Sequence, residues 1–183
     1  MSTPLDLRES ARRLFFAYWP DAETRKSLIQ ATGPAVASID GQPVAGSNLH
    51  VTLAFLGRVP SSRIPEIVRI GARGDYQPAK LVFNRLEYWP RPKAVAALAD
   101  AIPEAGQRLV DTLWERVLPL GIEREERAWR PHFTLVRRVR RPPPKLTIPA
   151  LHWPGDRLAL VESVSGPDGL HYTALAEWAL GKS

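Results

Sequence analysis

Two tetrapeptides in this 183-residue chain have the makings of an acid–base site. His50-Val51-Thr52-Leu53 lies within Asn48-Leu49-His50-Val51-Thr52-Leu53-Ala54-Phe55-Leu56-Gly57, and His132-Phe133-Thr134-Leu135 follows 82 positions later. Each places an imidazole and a hydroxyl at i and i+2 in an apolar run. On a β-strand that spacing turns both polar groups to one face while Val51/Leu53 and Phe133/Leu135 enter a core. Histidine, with an unperturbed pKa of ~6.5, can give or take a proton near neutrality. Two such faces across a cleft could supply the base and acid that opening a phosphodiester needs. The threonines could donate hydrogen bonds to charge building on the phosphorus oxygens. His50, His132, Thr52 and Thr134 are therefore the candidate catalytic residues, with neither a metal nor a nucleophilic serine required.

The pattern is cheap when met once. His171-Tyr172-Thr173 repeats it without the following leucine, after the turn Ser165-Gly166-Pro167-Asp168-Gly169, and reads as part of a closing strand with His171 partly exposed. His152, in Leu151-His152-Trp153-Pro154, has no matching partner and reads as structural. Metal binding is the rival use of two histidines. Neither copy has His-x-His or His-x₃-His spacing, and no Asp or Glu lies within four residues of either. An RNA-binding module that stacks bases on sheet aromatics is a further rival, but no stretch carries its aromatic strand signature.

The chain has no cysteine, which excludes disulfides and thiolate metal sites. It has no eighteen-residue apolar run and no basic-then-apolar start, so a cytoplasmic location is the default expectation. The net charge of +6 is concentrated. Residues 123–145 hold eight Arg/Lys against three Glu, around the second motif. Such a cluster favours a polyanionic partner, while the plain alternative is a solvated loop.

Elements that would position the motifs can be read in order. Leu14 to Trp19 is a strand stopped by Pro20, and Asp21 caps a helix that Gly33-Pro34 ends. The first motif strand follows and closes at Gly57. A short helix runs from Ser61 or Ser62 to about Arg73, with Pro65 in its first turn. Leu81 to Tyr88 and Ala94 to Leu98 are strands, split by a turn at Pro90-Arg91-Pro92. Residues 103–120 form the strongest helix, stopped by Gly121. Pro142-Pro143-Pro144 stiffens a loop after the second motif. Arg157 to Ser163 and His171 to Trp178 close the fold. Tyr18-Trp19-Pro20 and Tyr88-Trp89-Pro90 echo one another, in keeping with a duplicated plan. Residues 1–11 read as a flexible leader and 12–183 as one bilobal domain.

At these residues the chain resembles the 2H phosphoesterase superfamily, named for two His-x-Thr/Ser motifs, and within it the RNA 2′,3′-cyclic phosphodiesterases, also called 2′-5′ RNA ligases. The resemblance rests on His50 through Gly57, on Pro131 through Arg137, and on flanking segments from about residue 12 to 180. It implies metal-free hydrolysis of a terminal RNA 2′,3′-cyclic phosphate to a 2′-phosphomonoester. It also implies a weak reverse ligation of tRNA-half-like ends. It further implies that His50 is the proton donor and His132 the acceptor, two roles that the residues alone do not separate.

The expected fold is α+β: two pseudo-twofold-related lobes, each an antiparallel sheet backed by helices, with a basic cleft between. Arg130 and Arg137 are the candidates for phosphate contact. Strand parity puts Arg130 on the His132 face if the strand reaches back through Pro131, and Arg137 on the opposite one unless the strand twists or ends at Val136, with a salt bridge the plain alternative for Arg137. Val136 stands where the family more often has alanine, which would narrow the site. No cofactor is expected, and the working form is a monomer. Two other functions stay open: an RNA-end-binding protein with incidental hydrolysis, and a phosphodiesterase for small cyclic nucleotides or 2′-5′ oligonucleotides.

Overall fold

Two strand–helix–strand units carry the two motifs. The computed structural model describes residues 10–167 and 169–181. The first unit is β1 (Ala11–Tyr18), α1 (Ala22–Ala37), the short β2 (Gln42–Pro43) and β3 (Val51–Pro60). The second is β5 (Ala94–Ala99), α3 (Glu104–Val117) and β6 (His132–Arg137). In each, the motif strand pairs antiparallel with the strand that opens the unit. Between them lie α2 (Ile64–Ala72) and β4 (Leu81–Trp89); β7 (Thr147–Trp153), β8 (Arg157–Gly166) and β9 (Gly169–Ala179) follow. The strands form two antiparallel sheets, in the order β3-β1-β8-β9 and β2-β6-β5-β4-β7. The α+β fold of two related sheets is as expected.

The units are interlocked. Helix α1 packs on β6 and β7 of the second sheet, while α3 packs on β3 of the first and α2 on β8 and β9. Strand β2, from the first unit, pairs with β6 of the second. One core spans both sheets, with Phe16, Tyr18, Phe83 and Phe133 almost wholly buried. Burial of a phenylalanine side chain stabilises by roughly 1.5–3 kcal/mol. The motif strands β3 and β6 are themselves in contact. Among the described residues no helix is long and apolar enough to cross a membrane.

Several elements differ from the sequence expectation. Helix α1 runs through Gly33-Pro34 to Ala37. Ala35 and Ile39 beyond the proline are buried, so packing outweighs one missing N–H donor. Gly57 does not end β3. It adopts φ +70° beside an irregularity in the β1 pairing, and the strand continues to Pro60. Strand β7 has no clear strand pattern in the sequence, because Pro149 interrupts it. Among the described residues it is an edge strand paired only with β4, where a residue without an N–H is tolerated.

The leader expected over residues 1–11 lies largely outside the described residues, but Ala11 already pairs with Pro60 and Ser10 bonds to Ser61. The turn residue Asp168 also lies outside them. The Tyr-Trp-Pro echo is not the trace of duplication. Tyr18 ends β1, the neighbour of β3, whereas Trp89 ends β4, two strands from β6.

Candidate active site

Each motif carries the same bulge. On β3, Thr52 pairs with Ala17 and Ala54 with Phe16, leaving Leu53 as an extra residue. On β6, Thr134 pairs with Ala96 and Val136 with Val95, leaving Leu135 extra. Two successive side chains therefore enter the core in each copy: Leu53 and Ala54, then Leu135 and Val136, all at most 3% exposed. A one-residue bulge inverts strand parity from that point onward. It brings Phe55 and Arg137, each five residues after a motif histidine, onto the same face as the histidines. Simple alternation had put Arg137 on the opposite face, and the bulge is what returns it. Val136 does not narrow the site, since it is fully buried and its Cγ1 fills the space that a Cβ on Gly41 would occupy.

His50, Thr52, His132, Thr134 and Arg137 line one cleft of ≈ 200 Å³, with Arg13, Phe15, Phe55 and Tyr172 among its other walls. No acidic residue lines it among the described residues. Both imidazoles are fixed in the same way. Nδ1 of His50 bonds the Asn48 carbonyl at 2.7 Å, and Nδ1 of His132 bonds the Arg130 carbonyl at 2.7 Å. A carbonyl only accepts, so each Nδ1 carries the proton and each Nε2 remains for chemistry. The Trp129 indole, from the segment before β6, donates to the Thr52 carbonyl at 2.9 Å and so ties one motif to the other.

The two histidines have different surroundings. His50 is packed by Phe15 at 4.8 Å, edge-on by Tyr172 at 4.8 Å, and by Trp19 at 6.2 Å. Burial among these rings pushes its pKa down to about 4; charge on Arg137, His132 and Arg25 adds to the fall, and the Asn48 carbonyl opposes it. His132 meets Trp89 edge-on at 4.7 Å, and its pKa is also lowered, first by burial and then by the charges of Arg130 and Arg137, with the Arg130 carbonyl and Glu87 opposing.

The depression of His50 has a consequence for stability. Between its ordinary value of 6.5 and about 4, the unfolded chain binds a proton that the folded chain refuses, so stability falls as pH drops through that window. The effect is at most about 3 kcal/mol at its acid end. His50→Gln is therefore expected to gain in denaturant midpoint over the parent as pH falls from 7.5 to 4.5. Parallel pH dependences in the two proteins would contradict this origin.

The arginines divide. Arg137 lies in the cleft, 3.4 Å from the Tyr172 hydroxyl. Arg130 turns to Glu87 at 3.0 Å, and Glu87 also accepts the Trp89 indole N–H at 2.8 Å. Arg130 is thus not among the cleft-lining residues, although its charge reaches His132. The basic run over 123–145 is not a single patch, because Arg124 and Arg140 are likewise paired, with Asp111 and Asp40. His152 is exposed on the edge strand β7, away from the cleft.

Four positions that sequence reasoning left without a site role hold the cleft together. Asn48 donates its side-chain N–H to the Leu170 carbonyl at 2.8 Å and accepts from the Tyr172 N–H at 3.3 Å, while its own carbonyl holds His50. Trp19 and Trp89 each flank one histidine. Arg25 of α1 stacks over Trp19 at 5.5 Å and donates to the Pro20 and Gly46 carbonyls. Parity signalled Tyr172, which sits between the His and Thr of the third motif copy. The repeated Tyr-Trp-Pro signalled both tryptophans.

Comparison with known proteins bears on this geometry. Residues 19–97, which include the first motif, match the family model described as LigT like Phosphoesterase. The chain is 32% identical over 182 residues to a Thermus thermophilus protein named RNA 2′,3′-cyclic phosphodiesterase, covering 92% of this chain and 90% of that one. It is 29% identical to an Escherichia coli protein of the same name, over 92% and 97% of the two chains. The fold superposes on the crystal structure of E. coli LigT in apo form with a TM-score of 0.79 at 26% identity, over 94% and 99% of the chains.

Proposed function

Because this chain belongs to the LigT-like phosphoesterases of the 2H superfamily, we propose that it hydrolyses RNA 2′,3′-cyclic phosphate ends to 2′-phosphomonoesters by two-histidine, metal-free catalysis. It is a hydrolase acting on phosphodiesters, with phosphoesterase activity on RNA. The observation that carries the finer reading is the convergence of both His-x-Thr pairs and Arg137 on one cleft that has no carboxylate among the described residues. Residues 12–183 act as one bilobal catalytic domain in this reading.

In the proposed step His132 Nε2 takes a proton from water, the water oxygen bonds to phosphorus, and the P–O3′ bond breaks. His50 Nε2–H protonates the departing O3′, leaving the phosphate on O2′. Its packing among Phe15, Trp19 and Tyr172 makes the His50 imidazolium a strong acid. An anionic phosphodiester in the cleft supplies the counter-charge that lets this imidazolium form at neutral pH. Thr52 and Thr134 donate to the non-bridging oxygens, and Arg137 opposes the charge that builds there. Arg130, held by Glu87, acts on the site through its field and through the carbonyl that orients His132. With an RNA 5′-hydroxyl in place of water the same step forms a 2′-5′ linkage weakly: His132 takes the 5′-hydroxyl proton, P–O3′ breaks and His50 protonates O3′, and the two roles exchange only when that linkage is cleaved.

Among the described residues no three His, Cys, Asp or Glu side chains converge as a metal-binding group. The test is an RNA oligonucleotide ending in a 2′,3′-cyclic phosphate, assayed for product with excess EDTA. A 2′-phosphate is expected at an undiminished rate. A 3′-phosphate product, or loss of turnover in EDTA, would overturn the mechanism, and binding without turnover would favour an RNA-end-binding protein.

A further inference from the structure

The cleft of ≈ 200 Å³ is smaller than the roughly 300–1,000 Å³ of pockets that enclose a drug-sized ligand. It opens onto a groove of ≈ 470 Å³, with which it shares Arg137, Leu170 and Tyr172. We propose that this groove is a subsite for the nucleotide preceding the cyclic end of an RNA strand, with Arg138 taking the phosphate that joins the two nucleotides. The proposal rests on the reading of the cleft given above.

The walls have the chemistry of a sugar–phosphate site. On one side is the tip of the β8–β9 hairpin, with Ser165 and His171; on the other is the segment before the first motif, with Gln42 and Ser47. These offer hydrogen bonds, Arg137 and Arg138 offer positive charge, and none of the described lining residues is acidic. Pro43, Val44, Ala45, Pro92 and Leu170 give the groove an apolar side on which a base or ribose can rest, and its polar side suits a phosphate and sugar hydroxyls. Asn48 fastens the hairpin to the opposite wall through Leu170 and Tyr172 while its carbonyl holds His50, so the groove is built onto the catalytic histidine.

Arg138 is the distinctive residue. It follows Arg137 directly, has φ +52°, a conformation that residues other than glycine seldom hold, and has no hydrogen-bond or ion-pair partner among the described residues. The next residue is tied back by a hydrogen bond from the Val139 N–H to the carbonyl of Lys93, itself at φ +61°. The backbone therefore holds consecutive arginines on adjoining spaces: Arg137 on both cleft and groove, Arg138 on the groove alone. That is the arrangement two successive phosphates of one strand would meet.

The experiment compares adenosine 2′,3′-cyclic phosphate with the dinucleotide ApA ending in the same cyclic phosphate. The parent protein is expected to favour the dinucleotide through a lower KM. Arg138→Asn, which keeps tolerance for positive φ and removes the charge, is expected to cut the dinucleotide-to-mononucleotide ratio of kcat/KM about tenfold, the scale of one charge-assisted contact. Added salt should erode the preference of the parent more than that of the variant. Equal turnover of both substrates by the parent overturns the subsite and leaves the reading of the cleft intact. A ratio unchanged in Arg138→Asn overturns it too. If the parent turns over neither substrate, the reading of the cleft fails and binding decides the subsite. The dinucleotide must then bind the parent more tightly than the mononucleotide and lose that margin in Arg138→Asn, or the proposal falls.

Discussion

Replacing either His50 or His132 with alanine is expected to lower kcat/KM on an RNA ending in a 2′,3′-cyclic phosphate by roughly 10²–10⁴-fold, the usual contribution of one positioned acid or base. The fold should survive, because both rings line the cleft and neither belongs to the common core of the sheets. The His50 change removes a ring packed against Phe15 and Tyr172, so some loosening of that wall accompanies it. Measured at pH 7.5, thermal midpoints within a few degrees of the parent, together with the rate loss, would place the effect on chemistry. Full turnover in either variant would remove that histidine from the mechanism.

Arg137→Ala is the second large effect expected. Its side chain reaches the cleft only because Leu135 is an extra residue on β6, and no carboxylate pairs with it among the described residues. A cation kept free of salt bridges in a site of this kind serves an anion. Loss of one donor aimed at developing charge costs about 10²–10³-fold in kcat. Arg130→Ala, which breaks the pair with Glu87 at 3.0 Å, should cost far less, since an exposed ion pair contributes at most about 1 kcal/mol. The check is kcat and KM for both variants on one substrate. Equal losses, or a larger one for Arg130, would mean that the two arginines had been given the wrong places.

The contrast between these arginines also marks where the sequence stopped being legible. The candidate catalytic residues were plain in it, because a period of two is a local property and the histidine–threonine pair repeats. The α+β fold with paired motif strands followed from the order of strand and helix patterns. Bulges were not legible: nothing in Thr-Leu-Ala-Phe or Thr-Leu-Val-Arg announces an unpaired leucine, yet that leucine decides which face Arg137 occupies. Charge density misled in the same way. Arg124, Arg130 and Arg140 find acidic partners distant in sequence, such as Asp40 one hundred positions from Arg140, and no local pattern can foresee such pairing. Helix α1 outran its proline because Ala35 and Ile39 are buried against elements that the helix itself does not encode.

The repeated Tyr-Trp-Pro shows a true signal attached to the wrong cause. It marks two tryptophans that flank the two histidines, but from strands that are not equivalent in the two sheets. The duplication is carried by the strand–helix–strand order and by the shared bulge. The two halves differ where they meet the cleft: Phe55 and Arg137 occupy matching places, one an aromatic wall and one a cation.

The central claim is that His50 and His132 act as one acid–base unit on a single phosphorus. It is tested most directly by a double-mutant cycle, with single-turnover rates on the cyclic-phosphate RNA for the parent, His50→Ala, His132→Ala and the double variant. Residues that act as a unit are not additive, so the double variant should be no more than about tenfold slower than the slower single variant. A double variant whose loss is the full product of the two single losses would contradict a shared step, as would one single variant that keeps the parent rate.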